Sequence, residues 1–214
     1  MKQYVSIPYF DGKLLLGQEI IAFDKLDGNN MRFEWSKKKG WYLFGTRHMI
    51  IDASHKEFGA AISLFMLKYA KELIYIFKTH PKYKNIKKAI VFCEWVGPHS
   101  FAGKHHPDDE LDLILFDVNP VGKGIIPPRE FIEDFGHLGI PRIIYEGPLT
   151  LKFIASVRKN NYNLNEGVVC KTMEKVRGNR IAMIKIKINE WLEKLRQNFG
   201  DQYVKDELAG KNIM

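Results

Sequence analysis

The alternation of isoleucine and lysine near the end of the chain constrains the fold more than any other feature. Residues 181–189 read IAMIKIKIN. Because successive side chains of a strand point to opposite faces, Ile184, Ile186 and Ile188 share one face and Lys185 and Lys187 share the other. The isoleucine face is expected to pack in a core. The lysine face fits either solvated side chains or the lining of a phosphate pocket.

Other segments have the lengths and spacing of strands and helices in an irregular order. Residues 31–35 and 41–45 flank the polar turn SKKKG, which is typical of a β-hairpin. Apolar residues at helical spacing predict a helix at 55–78, with Asp52 or Ser54 as its cap. Further strands are predicted at 19–24, 88–96, 111–118, 167–172 and 180–188, and further helices at 128–136, 150–159 and 191–199. Because the order is not a regular βαβ repeat, we predict an α+β fold.

Charge and cysteine content narrow the classes of partner and compartment. The net charge of +8 suits a polyanionic partner such as nucleic acid. Cys93 and Cys170 lie in apolar runs, so we expect two buried, reduced thiols in an intracellular protein. The sequence shows no signal peptide and no run near the ~20 apolar residues of a membrane span. We therefore expect a soluble, cytoplasmic monomer that is not bound to a membrane.

A lysine two residues before an Asp-Gly turn is the strongest chemical signal. Residues 25–30 read KLDGNN, directly after the strand predicted at 19–24. A lysine in this position can act as a nucleophile beside a phosphate. Glu94 near the end of IVFCEWVG and Phe116 in LILFDV are weaker signals, because an isolated Glu at a strand end is usually exposed and an isolated aromatic residue in a strand is usually part of a core.

The order of these short segments carries more information than any one of them. KLDGNN, TRH around Arg47, CEWVG, LILFDV, NEGVVCK and MIKIK resemble the ordered motifs of the covalent nucleotidyltransferase superfamily. That superfamily comprises ATP-dependent DNA ligases, RNA ligases and mRNA capping enzymes. The motifs span residues 25–187. The resemblance implies a nucleotidyltransferase (adenylation) domain at residues 1–188, built of antiparallel sheets with flanking helices.

The resemblance implies a catalytic role for three lysines. Lys25 is the implied nucleophile, which attacks the α-phosphate of a nucleoside triphosphate. Lys185 and Lys187 are implied to contact that phosphate and to stabilise the charge that develops on it. A lysine attacks only as the neutral amine, and a free lysine has a pKa of about 10.4. Positive charge from these lysines or from a metal ion is expected to lower that value.

The remaining matches are implied to bind the nucleotide and a metal ion. Phe116 is implied to stack on the base, Glu94 to bind the ribose hydroxyls, and Arg47 to contact the ribose or the incoming 5′-phosphate. Lys171 is a further implied phosphate contact, and Glu166 is the implied metal ligand. The implied cofactors are ATP and Mg²⁺, with Mn²⁺ as the alternative metal, because a triphosphate needs charge neutralisation and orientation.

The residues after the nucleophile bear on the subtype. Asp27, Gly28 and Asn30 belong to the implied nucleotide-binding set. Asp27 is the residue found in DNA ligases, whereas a subset of RNA ligases has histidine there. Asn30 is similar to the RNA ligase 2 type, whereas DNA ligases usually have arginine. Residues 189–214 predict a short helical tail, which is too short for the five-stranded OB-fold domain that DNA ligases and capping enzymes usually carry.

The resemblance therefore favours an ATP-dependent RNA ligase. Such an enzyme joins 5′-phosphate and 3′-hydroxyl ends through a covalent lysyl-AMP intermediate and an AMP-capped strand. Its expected partner is nucleic acid with those two ends, and RNA is favoured. A minimal ATP-dependent DNA ligase is the alternative, followed by a capping-type guanylyltransferase. The alternative from another class is a non-catalytic relative that only binds nucleic acid.

Overall fold

A computed structural model describes residues 3–98, 108, 110–176 and 180–210 of the 214-residue chain. Residues 211–214 of the predicted tail lie outside this set. The contacts within the chain divide it into two compact units. The first unit comprises Met1–Tyr4, Gly28–Ile126 and Glu130–Ile140. The second unit comprises Val5–Asp27, Pro127–Arg129 and Pro141–Met214.

Strands and helices follow one another irregularly along the chain. The strands are β1 (Glu19–Lys25), β2 (Asn29–Ser36), β3 (Gly40–Thr46), β4 (Ile50–Ile51), β5 (Lys88–Val96), β6 (Asp112–Pro120), β7 (Ile143–Pro148), β8 (Gly167–Val176) and β9 (Arg180–Lys187). The helices are α1 (Gly59–Lys68), α2 (Ala70–Thr79), α3 (Pro128–Phe135), α4 (Leu151–Arg158), α5 (Asn189–Phe199) and α6 (Asp201–Leu208), and a 3₁₀ turn follows α3 at Gly136–Leu138. The strands pair antiparallel in two sheets, which confirms the predicted α+β class.

The first unit contains a five-stranded sheet in the order β4-β3-β2-β5-β6. The predicted hairpin is confirmed, because β2 and β3 pair across the turn at residues 37–39. One face of the sheet is apolar and packs on helices, and Phe33 of β2 stacks on Phe65 of α1 with ring centroids 3.8 Å apart. Since side chains alternate along a strand, Arg32 and Glu34, which flank Phe33, lie on the opposite, polar face.

The single helix predicted at 55–78 is wrong in two respects. The structure has two helices, α1 and α2, which are interrupted at Tyr69 (φ −122°, ψ −33°). The Tyr69 hydroxyl donates to the carbonyl oxygen of Leu113 at 2.6 Å, so a tertiary contact fixes the break. The helix also starts later than predicted, at Gly59. Neither Asp52 nor Ser54 caps it, because the Asp52 carboxylate instead accepts a hydrogen bond from the Ser54 amide in the preceding turn.

The second unit contains a four-stranded sheet in the order β7-β1-β8-β9. The predicted cap of α4 is confirmed, since the Thr150 hydroxyl oxygen accepts from the Phe153 amide at 3.1 Å. The alternation in β9 is also confirmed, and Ile184 and Ile186 are buried. Two elements of this unit were not predicted. They are the edge strand β7, and α6, which follows α5 after Gly200.

Two further predictions concern the cysteines and the membrane. Cys93 and Cys170 are both free and buried, as expected. Burial raises the pKa of the Cys170 thiol to about 12. None of the helices in the described parts of the chain is long and apolar enough to cross a bilayer.

Candidate active site

Four of the predicted lysines share one face of the second unit's sheet. Directly opposed residues of antiparallel strands point to the same face of a sheet, and so do alternate residues of one strand. Gly167 of β8 lies opposite Lys25 of β1 and Lys187 of β9. Two residues further along β8, Val169 lies opposite Lys185. By the same register, Lys171 belongs to this face, which we call the lysine face.

Glu166 supplies the negative charge beside this lysine face. The Lys25 Nζ lies 2.7 Å from Glu166 Oε2, and the Lys187 ammonium contacts the other carboxylate oxygen of Glu166. The side chains of Glu166 and Lys187 are only 5% and 2% exposed, whereas that of Lys25 is 23% exposed. A buried charge that loses its partner destabilises a fold strongly. One carboxylate thus fixes two of the predicted catalytic ammonium groups, and excess positive charge remains.

Gly167 explains why a glycine follows this glutamate. It has a φ of 155°, and a Cβ at this position would collide with the backbone carbonyl of Ile186 in β9. The absence of a side chain lets β8 and β9 approach where Glu166 reaches Lys187. Gly28 has a similar role in the first unit, because a Cβ there would collide with the carbonyl oxygen of Trp95.

A second carboxylate, which the sequence analysis missed, contacts Lys185. Glu207 of α6 lies 3.2 Å from the Lys185 Nζ and accepts a hydrogen bond from the Tyr9 hydroxyl at 2.7 Å. The Lys185 Nζ also lies 4.1 Å from the centroid of the Tyr9 ring. Burial acts to raise the pKa of Glu207, but Lys185, the Tyr9 hydroxyl and Lys187 together hold it below its ordinary value.

Aromatic rings support the two most buried lysines of the lysine face. The Lys187 Nζ lies 3.5 Å from the centroid of the Trp191 ring in α5, and the Lys171 Nζ lies 5.0 Å from the centroid of the Phe23 ring in β1. Cation–π contacts of this kind partly replace the hydration that a buried ammonium loses. The periodicity of α5 predicted a buried face for its apolar residues, but no sequence signal paired Trp191 with Lys187.

Three other predicted residues, Asn30, Glu94 and Phe116, lie on the strands of the first unit's sheet. Asn30 of β2 is directly opposite Glu94 of β5. The pairing register of β5 and β6 shifts, so that Phe92 lies opposite Asp117 and Cys93 opposite Leu115. Phe116 is therefore the extra residue of a β-bulge, a feature that re-aims a side chain.

Phe116 and Arg47 are placed near the same tyrosine. The Tyr4 ring lies 5.1 Å from the Phe116 ring, and its hydroxyl donates to Asp117. Burial raises the pKa of Tyr4, and Asp117 adds to this rise, whereas the positive charge of Arg47 opposes it. Arg47 itself follows β3, in a turn where the Thr46 hydroxyl oxygen accepts from two backbone amides. Arg47 and Phe116 thus share the surroundings of Tyr4.

Asp27 and Arg32 are two buried polar residues in or near the first predicted motif. Asp27 is 8% exposed and belongs to the second unit. Arg32 was not predicted as a site residue, yet it is only 3% exposed and lies on the same polar face as Asn30. Its only sequence signal is its position two residues after Asn30 in a strand.

The donor set around Glu166 fits Mg²⁺ or Mn²⁺ bound mainly by phosphate and water. Among the described residues, no group of three or more histidine, cysteine, aspartate or glutamate side chains can hold a metal ion. Mg²⁺ usually binds through one or two carboxylates together with substrate phosphates and several waters. A single carboxylate beside a face of four lysines, where phosphate oxygens could supply the other ligands, meets that requirement.

Comparison with protein families identifies the class of protein. The sequence model of the RNA ligase family matches residues 18–187, a range that includes every predicted site residue. The chain belongs to the RNA ligase family. None of the curated proteins searched matches the chain.

Solved structures with the same fold come from Naegleria gruberi RNA ligase. The structure with PPi has 18% identity and a TM-score of 0.67, over 92% of this chain and 58% of that one. A mutant with AMP and Mn has 18% identity and a TM-score of 0.65, over 91% of this chain and 58% of that one. A mutant with ATP and Mn has 20% identity and a TM-score of 0.60, over 84% of this chain and 52% of that one. The chain thus spans little more than half the length of these proteins.

Proposed function

We propose that this chain is an ATP-dependent RNA ligase of the covalent nucleotidyltransferase superfamily. It joins 5′-phosphate and 3′-hydroxyl ends of RNA. The observation that carries this proposal is the Lys25 amine, which ends β1 on a sheet face with three further lysines and lies 2.7 Å from Glu166. Membership of the RNA ligase family supports the choice of reaction.

The first step is the transfer of AMP to Lys25. The Nζ attacks the α-phosphorus of ATP, a P–N bond forms, the bond to the β-phosphate oxygen breaks, and pyrophosphate leaves as an amine proton is released. Glu166 orients the amine through its 2.7 Å contact. Lys185 and Lys187 hold the α-phosphate and stabilise its developing negative charge.

The next two steps transfer AMP and seal the strands. A 5′-phosphate oxygen of RNA attacks the α-phosphorus, the P–N bond breaks, and an AMP-capped strand forms. A 3′-hydroxyl then attacks the phosphorus of the former 5′-phosphate, and AMP leaves. The solved Naegleria structures with ATP, AMP, PPi and Mn support the use of ATP and a divalent metal.

We assign the remaining contacts as the motif resemblance implies. Phe116 stacks on the base, Glu94 binds the ribose hydroxyls, and Arg47 contacts the ribose or the 5′-phosphate. Lys171 contacts phosphate, Glu166 binds Mg²⁺ or Mn²⁺, and Asp27, Gly28 and Asn30 complete the nucleotide-binding set. The metal supplies charge neutralisation of the triphosphate.

The domain boundary and the cellular setting are also proposals. We propose an adenylation domain at residues 1–188 and a short helical tail at 189–214. Helix α5 begins at Asn189 and is followed by α6, which supports this boundary. We also propose a monomer in the cytoplasm, where free buried thiols such as Cys93 and Cys170 are usual.

The proposal is tested by following AMP through the three steps. The purified protein is incubated with Mg²⁺ and α-labelled ATP, and is then given nicked duplexes that carry RNA or DNA at the 3′-hydroxyl side. We expect labelled protein, a labelled AMP-capped strand and sealing of RNA. Lys25→Ala removes all three, whereas Lys152→Ala, an exposed lysine of α4, retains them. Sealing of DNA ends alone would favour the alternative that Asp27 suggests, a DNA ligase. Absence of labelled protein would refute the enzyme assignment.

A further inference from the structure

The polar face of β2 carries a row of buried polar atoms that have no hydrogen-bond partner among the described residues. These atoms are Asn30 Oδ1, Arg32 Nε and Nη1, and Glu34 Oε1. The three residues alternate along one strand and therefore share a face. In folded proteins, roughly 90% or more of buried polar groups have a partner. Three consecutive exceptions on one face indicate a place where another molecule binds.

Arg32 is the charged centre of this row. It is 3% exposed, and its partners in the sheet are Gly45 of β3 and Phe92 of β5. A Cβ at Gly45 would lie 3.1 Å from Arg32 Nε and 3.3 Å from Nη2, so the guanidinium lies over the glycine backbone. Burial lowers the pKa of Arg32, and the charge of Glu34 opposes that shift. The free protein therefore bears the cost of a buried cation.

Glu34 does not neutralise this cation through an ion pair in the described structure. Its Oε2 accepts a hydrogen bond from the Tyr42 hydroxyl at 3.0 Å, while its Oε1 faces no donor. A buried guanidinium keeps its charge, because its pKa lies far above neutral pH. An anion from outside the chain is the group that would satisfy it.

We propose that Arg32 binds the 5′-terminal phosphate of the RNA strand. A guanidinium presents a planar fork of donors that matches the oxygens of a phosphate. A terminal phosphate carries about −1.5 to −2 charge near neutral pH and ends the strand, so it suits an enclosed cation better than a backbone diester does. The lysine face already provides four cations for the triphosphate. This inference rests on the proposed function for the identity of the strand.

The test measures binding rather than catalysis. A short RNA labelled at its 3′ end is prepared with a 5′-phosphate or a 5′-hydroxyl, and its affinity is measured by fluorescence anisotropy without ATP. We expect wild-type protein to favour the phosphorylated strand by about tenfold, the scale of a charged hydrogen bond. Arg32→Gln should bring the ratio close to one. Arg32→Lys should leave an intermediate ratio, because a point charge replaces the fork.

The control is Arg158→Gln, which removes an exposed arginine from the last turn of α4 and should keep the wild-type ratio. Thermal unfolding gives a second readout, since removing a buried cation that lacks a partner should leave the melting temperature unchanged or higher. An arginine that only stabilises the fold would lower it. A wild-type ratio near one, or a ratio that persists in both Arg32 variants, overturns the proposal whatever the melting temperature does.

A second measurement distinguishes whether the phosphate bound by Arg32 belongs to RNA or to ATP. Labelling of the protein by ATP is measured in the same variants. If Arg32→Gln raises the KM for ATP and leaves the strand ratio intact, the bound phosphate belongs to the nucleotide and the assignment to RNA is wrong. If wild-type protein forms no lysyl-AMP but its strand ratio depends on Arg32, the proposed function fails and the binding site stands.

Discussion

Glu166 holds two ammonium groups, and its neutralisation gives the sharpest test of the lysine face. Glu166→Gln keeps the shape of the side chain and removes its charge. The buried Lys187 then loses its carboxylate partner, whereas Lys25, with 23% exposure, can turn towards water. We therefore expect a loss of folding stability that arises mainly from Lys187.

The size of this loss follows from the burial of the pair. Removing one partner of a buried ion pair costs about 3–5 kcal/mol, and the partial exposure of Lys25 favours the lower end of that range. With a urea m-value of about 2 kcal/mol/M, a loss of about 3 kcal/mol lowers the urea midpoint by about 1.5 M. Equilibrium unfolding in urea at neutral pH, followed by tryptophan fluorescence, measures the shift.

A double variant shows whether the buried Lys187 charge, no longer balanced by Glu166, causes the loss. Lys187→Met removes the ammonium and keeps an unbranched side chain beside Trp191. If the reasoning holds, Glu166→Gln with Lys187→Met recovers to within about 1 kcal/mol of wild type, because neither buried charge remains. A double variant whose loss equals the sum of the two single losses would show that Glu166 and Lys187 act independently.

Two further predictions concern the base and the C-terminal helix. Phe116→Ala should weaken ATP binding by roughly tenfold or more, since base stacking on an aromatic ring is worth about 1–3 kcal/mol. Phe116→Tyr keeps an aromatic ring and should retain the affinity. Equal ATP affinity of the two variants in calorimetry would exclude stacking. The pKa of Glu207 is lowered in the folded protein, so its contacts stabilise the docked α6 fully at pH values above the ordinary glutamate pKa of about 4.3. This stabilisation is lost as the pH falls through the lower pKa of the folded state. The protection factors of the α6 amides, which correct for the slower intrinsic exchange in acid, should therefore fall on acidification in wild-type protein but not in Glu207→Gln. An equal pH response of both proteins would contradict the role of Glu207.

Local sequence patterns predicted the elements whose cause is local. The strand at 88–96 matches β5 at both ends, because nine residues of strand length are bounded by polar or turn-forming neighbours. The Thr150 cap and the alternation in β9 depend on neighbouring residues only. The break at Tyr69 was not predictable in this way, since it depends on a hydrogen bond to Leu113, and apolar spacing continues through it.

The residues of the candidate site also differ in whether a local pattern could predict them. The motif resemblance selected Lys25, Glu94 and Glu166 because each stands in a recognisable local segment. The contact between Lys185 and Glu207 joins β9 to α6, and only the fold brings these residues together. Arg32 was missed because its significance lies in its burial without a hydrogen-bond partner for Nε and Nη1 among the described residues, which no residue pattern reveals.

The identity of the nucleophile is the central claim, and mapping the adduct tests it most directly. The protein is incubated with ATP and Mg²⁺, its intact mass is measured, and the modified peptide is sequenced by tandem mass spectrometry. We predict a mass increase of one AMP per chain, located on Lys25 and absent after Lys25→Ala. An adduct on another lysine, or an unmodified chain in active protein, would contradict the assignment of Lys25 as the nucleophile.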